Sequence, residues 1–164
     1  MSKTSENDTY ISMMVKALQK KKTVLSSLYE QTKEQEQLLS EGQMDVDRFE
    51  DLLEEKGVGI GELNQIDAGF DSLYKKLEDE LLVNQGLYQT EIGLMKELIQ
   101  DITELGTQIQ VLEKRNYERF QQYISGERGK LRAANRSQQT ATTYASNMAG
   151  SHREGNSYFL NEVK

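Results

Sequence analysis

The residue types that most often carry out chemistry are scarce in this sequence. It has no Cys and a single His, His152, among 164 residues. Without Cys, the chain forms no disulfide, zinc–thiolate site, iron–sulfur cluster or thiol nucleophile. A catalytic imidazole needs an orienting partner and a rigid cleft, and the polar residues beside His152 offer neither. We therefore expect a solvent-exposed His152 and no enzymatic activity.

Two short motifs superficially suggest a bound ligand. The alternating acids that begin at Asp45 resemble a calcium loop, but such a loop needs Gly at its sixth position, where this chain has Glu50. The glycines at 57, 59 and 61 suggest a phosphate-binding loop or a nucleotide switch, but their spacing is wrong and no buried strand precedes them. Helix capping and a weakened helix explain the two motifs better, so we expect no metal and no cofactor.

The charge balance disfavours nucleic acids and membranes as partners. Twenty-seven acidic residues against twenty basic ones give a net charge of −7, which repels phosphate backbones. The basic run Lys20-Lys21-Lys22 is shorter than a membrane-binding face requires, so we interpret it as a solvated face partly paired with acidic helices. No apolar run approaches the ~20 residues that span a bilayer, and the N-terminus lacks the apolar stretch of a secretory signal. These features predict a cytoplasmic protein that does not insert into membranes.

Apolar residues recur at alternating three- and four-residue steps, which is the periodicity of helices and not of strands. The chain has no Pro, so no proline interrupts the helical pattern. Apolar stripes of this length on a helix must pack on one another or on a partner protein. The pattern forms three runs, followed through polar members as well: Ile11, Met14, Leu18, Lys21, Leu25, Leu28, Thr32, Gln35 and Leu39; Phe49, Leu52, Lys56, Gly59, Leu63, Ile66, Phe70, Leu73 and Leu77; Met95, Leu98, Ile102, Leu105, Ile109, Leu112, Asn116, Arg119 and Tyr123.

The boundaries of the first helix follow from capping signals. Asp8 or Thr9 can cap its start, which gives a helix of roughly 30 residues. Gly42 is the expected left-handed residue after its end. Asp45 is the natural N-cap of the second helix.

The second helix is predicted to be locally weak. Each of its interior glycines, at 57, 59, 61 and 69, costs roughly 1 kcal/mol relative to Ala. We expect a bend or interruption near Asp67-Ala68-Gly69, and a second break at Asn84-Gln85-Gly86.

Asn116 is a polar residue in the hydrophobic seam of the third run. Such a residue commonly fixes the register or number of packed helices. The alternative is that Asn116 binds a ligand peptide. The aromatic residues that fit the helical spacing are interpreted as core: Phe49, Phe70, Tyr88, Phe120 and Tyr123.

The character of the chain changes near Ser125. Residues 126–164 carry six bases and three acids, a net charge of +3, which leaves −10 for residues 1–125. Residues 136–155 are rich in Ser, Thr, Gln, Asn and Ala, a composition that cannot bury enough surface to order itself. We therefore predict a helical domain over 1–125 and a flexible tail over 126–164, in an all-α fold built as an elongated antiparallel bundle or coiled coil of three long helices.

The sequence resembles the FlgN/FliT-like flagellar export chaperones, in particular the clostridial FlgN-like proteins. The resemblance is carried by residues 49–56 (FEDLLEEK), 63–74 (LNQIDAGFDSLY) and 109–116 (IQVLEKRN), together with Thr143-Tyr144 and residues 157–161 (SYFLN) near the C-terminus. It covers nearly the whole chain.

The resemblance implies a cytoplasmic chaperone of the flagellar type III export pathway. Its partners would be hook-associated junction proteins, which it keeps from assembling early, and the membrane protein of the export gate. Residues 137–164 and the nearby face of the third helix would form the cargo-binding surface, and Tyr144 would dock on the gate. The cargo-binding residues assigned to the tail are Tyr144, Met148, Tyr158, Phe159 and Leu160.

One alternative from a different class remains at this point. The same helical seams would serve a structural or scaffolding coiled coil that closes as a homodimer and has no chaperone role.

Overall fold

Three α-helices of equal length make up most of the chain that the structure describes. In this computed structural model, which describes residues 3–126 and Thr143, α1 spans Lys3–Ser40, α2 spans Val46–Val83 and α3 spans Gln89–Gly126. Each helix has 38 residues and is therefore about 57 Å long. A 3₁₀ helix at Gln85–Tyr88 joins α2 to α3. The described part of the chain contains no strand, and the predicted all-α class with three long helices is confirmed.

The helices form an up–down–up bundle in which α1 is the shared neighbour. Two short connections reverse the chain, so α2 runs antiparallel to both α1 and α3. Lys21 of α1 pairs with Asp67 of α2, and the adjacent Lys22 pairs with Asp101 of α3. The backbone of α1 lies close to both other helices, whereas no Cα atoms of α2 and α3 come within 8 Å of each other in the described residues. The gap between α2 and α3 is therefore spanned by side chains.

The close approach of α1 and α2 depends on Gly59. A Cβ atom at this position would lie 3.0 Å from Cδ2 of Leu28, which is buried on α1. The absence of a side chain thus lets the two helices pack closely. The sequence predicted only a weakened helix here, and the structure gives this glycine a packing role.

The predicted seams face inward. Nearly all of their apolar members are buried. Five of their polar members are buried as well: Lys21, Thr32, Gln35, Lys56 and Asn116. The predicted core aromatics are buried as well, except Tyr123, which is half-buried. Arg119 was placed in the seam but is exposed, because Phe120 takes the inward position instead. None of the described helices is long and apolar enough to cross a membrane.

Two predictions at the ends of α1 are wrong. The helix begins at Lys3, so Asp8 and Thr9 lie inside it, and the Thr9 hydroxyl donates to the Ser5 carbonyl at 3.0 Å. No Pro or Gly precedes Asp8, so the polar N-terminal residues simply continue the helix. Gly42 is not left-handed, because none of the glycines in the described residues has a positive φ. The last turn is closed instead by a bond from the Glu41 N–H to the Leu38 carbonyl at 3.3 Å.

The predictions for α2 had mixed outcomes. Asp45 caps the helix, because its side chain accepts a hydrogen bond from the Arg48 N–H at 3.1 Å. The expected interruption near 67–69 is absent, and α2 is continuous through it. Asp67 is held there by Lys21 at 2.7 Å, and Gly69 faces solvent, where its missing side chain leaves no hole in the core. The break at 84–86 is confirmed, since α2 ends at Val83.

Candidate binding surfaces

The structure places one of the predicted site residues, Asn116, and the others lie outside the described residues. Asn116 is buried where α3 faces α1, and its Nδ2 donates to the Thr32 carbonyl oxygen at 3.0 Å. Its Oδ1 is buried without a hydrogen-bond partner. This position suits a residue that fixes the alignment of α1 and α3, and that role remains a prediction. The predicted residues outside the described part are Tyr144, Met148, Tyr158, Phe159 and Leu160.

Asn116 belongs to a layer of buried polar side chains that crosses the bundle. Lys56 of α2 forms an ion pair with Glu113 of α3, and its Nζ also donates to Oε1 of Gln35 at 2.7 Å. The Thr32 hydroxyl donates to the Leu28 carbonyl at 2.6 Å and lies 3.3 Å from Oε1 of Glu113. We call Thr32, Gln35, Lys56, Glu113 and Asn116 the polar layer.

Burial sets the electrostatics of the polar layer. The side chains of Lys56 and Glu113 are only 3% and 7% exposed. Loss of hydration disfavours the ammonium ion, and this lowers the pKa of Lys56 from 10.5 to about 7. A lysine with a lowered pKa can act as a base or a nucleophile, but here the layer of side chains closes it off from any substrate in solvent. The layer therefore joins three helices and does not form a reaction site.

Part of the polar layer could be predicted from the sequence. Thr32, Gln35, Lys56 and Asn116 all occupy seam positions in the periodic runs, and a polar residue in a seam is a sign of a buried polar contact. Glu113 was missed because it lies outside the seam, next to Leu112. Its burial results from the reach of Lys56 across the gap between α2 and α3, which the periodicity of one helix does not show.

The polar layer divides the apolar interior into two cores. The main core extends from Ile11 to Leu28 on α1. It includes buried residues between Ile60 and Leu81 on α2 and between Ile92 and Ile109 on α3. The terminal core lies on the other side of the layer, and Phe49 and Phe120 stack within it with ring centroids 5.1 Å apart. Its buried members are Leu38, Met44, Phe49, Leu52, Leu53 and Phe120.

The terminal core lies at the end of the bundle where α3 finishes. Tyr123 and Ile124, in the last turn of α3, pack on it while partly exposed. The C-terminal end of α3 therefore lies next to this core. A cavity of about 20 Å³ lies between the terminal core and the polar layer, lined partly by Gln35 and Asn116. A cavity of this size accommodates a water molecule and nothing larger.

A larger depression lies on the outer side of α1 and α2. It has a volume of about 390 Å³, and no residue of α3 lines it. Ala17 and Gly69, which have a small side chain and none, form the floor of this depression. We call this depression the α1–α2 groove, and its lining residues are Met13, Lys16, Ala17, Lys20, Glu62, Gln65, Ile66, Gly69 and Leu73.

The surface charge is concentrated on α2. This helix carries eleven acidic and four basic residues, a net charge of −7. Near its start, Arg48 donates to Oε1 of Glu34 at 2.9 Å and to Glu55 at 3.3 Å. The hydrogen bond from Arg48 holds the pKa of the Glu34 carboxyl below its usual range.

The described residues contain no group of three or more His, Asp or Glu side chains placed to hold a metal ion.

Comparison with known proteins identifies one family. The family model described as FlgN protein matches residues 10–150, which include nearly all of α1, the whole of α2 and α3, and 24 residues after Gly126. No curated protein and no solved structure gives a significant match to the chain.

Proposed function

The chain belongs to the FlgN family of flagellar export chaperones, and from this membership we propose that it serves hook-associated proteins of the flagellum. It binds these proteins in the cytoplasm before export, keeps them from assembling early and delivers them to the export gate. No chemical step is involved: the protein acts by stoichiometric binding and release.

The observation that carries this proposal is the extent of the family match. It covers 141 residues and continues beyond α3 to residue 150, so it includes the start of the segment to which we assign cargo binding. A match to the coiled-coil seams alone would carry less weight, because many helical proteins share such seams. Flagellar export substrates are the partners of this family.

We place the cargo-binding surface on residues 137–164 together with the nearby end of α3. One feature of the described residues supports this placement. The end of α3 carries partly exposed apolar side chains, Tyr123 and Ile124, beside the terminal core. An amphipathic helix of the cargo would bury such side chains against its own apolar stripe.

Charge also favours the binding of an acidic cargo segment by residues 126–164. Residues 126–164 carry a net charge of +3, whereas the bundle before them carries −10. Arg128, Arg132 and Arg136 would attract an acidic cargo segment, and screening by salt would weaken that attraction. If the segment orders on binding, the entropic cost keeps the affinity moderate, which suits a chaperone that must release its cargo.

Truncation tests the proposal. A chain that ends at Arg136 should lose capture of purified hook-associated proteins while its helical circular dichroism signal persists. A matched pair of full-length variants sharpens the test: Tyr158→Ala/Phe159→Ala/Leu160→Ala should reduce capture, whereas Asn156→Ala/Ser157→Ala/Asn161→Ala should not. Normal capture by the truncated chain would show that cargo binds elsewhere.

The alternative of a scaffolding homodimer finds less support. Its premise is that the seam of α3 needs a second chain. In the structure, Met95, Ile109 and Phe120 of that seam are buried by α1 and α2 of the same chain. A homodimer would therefore have to use a different surface.

A further inference from the structure

The α1–α2 groove has the shape of a binding site for an α-helix. Its lining residues follow helical spacing on both sides, at 13, 16, 17 and 20 on α1 and at 62, 65, 66, 69 and 73 on α2. On α2 these positions, from 62 to 73, extend over about 17 Å, or roughly three turns of a helix. Gly69 is exposed, and a Cβ atom there would meet nothing within 4 Å. The floor of the groove can therefore be approached closely, as small residues permit between packed helices.

The groove is apolar along its length and charged at its rims. Met13 is 47% exposed, and on α2 the apolar lining is continued by Ile66, which is buried, and Leu73, which is half-buried.

Lys16 and Lys20 stand one helical turn apart on the α1 rim, and both are exposed. Neither forms an ion pair with another described residue. The exposed Glu62 and Gln65 line the α2 side, so the positive charge is confined to the α1 rim.

We propose that the α1–α2 groove binds an amphipathic α-helix of a partner protein, with an acidic edge of that helix against Lys16 and Lys20. The apolar stripe of the partner packs over Ala17 and Gly69, as in other helix-in-groove complexes. Carboxylates spaced by one turn on the partner match the spacing of the two lysines. This surface goes beyond the proposed function, because it uses no residue of α3 and none of residues 137–164.

The test uses the full-length chain and synthetic helical peptides of about 18 residues, or roughly five turns. The probe peptide has a Leu and Ala stripe, Glu along one edge and Gln along the other. A second peptide has Gln in place of every Glu, and a third has Lys. We expect the Glu peptide to bind more tightly than the Gln peptide by about five- to tenfold at low salt, with a smaller difference at high salt.

Two glycine variants locate the peptide. Gly69→Leu fills the floor of the groove and should weaken binding of the Glu peptide by about tenfold or more, because it removes the close approach on which packing depends. Gly57→Leu is the matched control: Gly57 is also exposed on α2, with nothing within 4 Å of a Cβ atom, and it does not line the groove. Both replacements favour the helix, so both variants should fold. Equal binding by the two variants would overturn the proposal.

Charge reversal tests the partner's chemistry. Lys16→Glu/Lys20→Glu should bind the Glu peptide less tightly than the Lys peptide, whereas Lys114→Glu on α3 should leave the wild-type preference unchanged. Absence of binding for all three peptides would overturn the proposal. So would light scattering that shows a dimer of the wild-type chain but a monomer of Gly69→Leu, because a second copy would then occupy the groove. These readouts are independent of cargo capture through residues 137–164, so failure of one proposal does not imply failure of the other.

Discussion

Lys56 of α2 and Glu113 of α3 form an ion pair inside the bundle, although 57 residues separate them in the sequence. The pair lies where the backbones of α2 and α3 are far apart, and it connects two helices that meet through side chains. Gln35 of α1 accepts a further hydrogen bond from Lys56, so one ammonium group contacts the other two helices. The pair holds the three helices in one alignment at the boundary between the main core and the terminal core.

Breaking this pair on one side should be far more destabilising than removing it whole. Lys56→Met leaves Glu113 buried without its cation, and Glu113→Leu leaves Lys56 without its anion. Each single variant should lose about 3–5 kcal/mol of unfolding free energy, whereas the double variant should lie within about 2 kcal/mol of wild type. Urea denaturation of the four proteins at about pH 6, where Lys56 keeps its proton, measures this cycle.

The exposed ion pair of Lys22 and Asp101, 2.8 Å apart, is the matched control. Both side chains are more than 40% exposed, so Lys22→Met should cost at most about 1 kcal/mol. Similar losses from Lys56→Met and Lys22→Met would show that the inner pair is not buried in solution.

The lowered pKa of Lys56 predicts a specific dependence of stability on pH. The unfolded chain holds this proton up to about pH 10.5, whereas the folded chain releases it above about pH 7. Between these values the unfolded state binds more protons, so the unfolding free energy rises with pH, by at most about 1.4 kcal/mol per unit. Urea denaturation from pH 7 to 9 should show this rise in wild type. Lys56→Met/Glu113→Leu should lack it, and equal slopes for the two proteins would contradict the pKa shift.

The fold was largely predictable because helical periodicity determines which residues face inward. The seams identified the buried positions even where the residues are polar, as at Lys21, Thr32 and Gln35. These positions follow from spacing along one helix, which is local information. Glu113 was not predictable in this way, since its burial depends on how α2 and α3 face each other.

The ends of the elements were less predictable, because local signals compete with packing. Asp8 is a good capping residue, but the helix continues through it, since nothing before it interrupts the chain. Gly69 weakens α2 in isolation, but the neighbouring contact of Asp67 with Lys21 and the packing of Phe70 in the main core keep the helix whole. The α1–α2 groove was not predicted either, because it arises only when two helices are placed side by side.

Replacing glycines of α2 separates helix propensity from packing. Gly57 and Gly61 are exposed, and a Cβ atom at either would meet nothing within 4 Å. Gly57→Ala and Gly61→Ala should therefore each raise the unfolding free energy by about 0.5–1 kcal/mol. Gly59→Ala gains the same propensity but must displace the buried side chain of Leu28, so it should be less stable than Gly57→Ala by about 1 kcal/mol or more. Equal stabilisation by all three replacements, measured by thermal unfolding, would show that α1 and α2 do not approach closely at Gly59.

Tyr144→Ala should separate delivery from cargo binding. Tyr144 is assigned both to gate docking and to the cargo-binding set. In the variant the gate contact is lost, whereas Met148 and residues 158–160 continue to hold the cargo. The variant should therefore capture hook-associated proteins nearly as well as wild type. Its affinity for the gate protein should fall by roughly tenfold or more, a loss typical of a Tyr anchor at an interface. Tyr158→Ala is the reciprocal control, with weakened cargo capture and unchanged gate binding. If both variants bind the gate protein as wild type does, Tyr144 is not the docking residue, and the bundle or another part of residues 126–164 must make that contact.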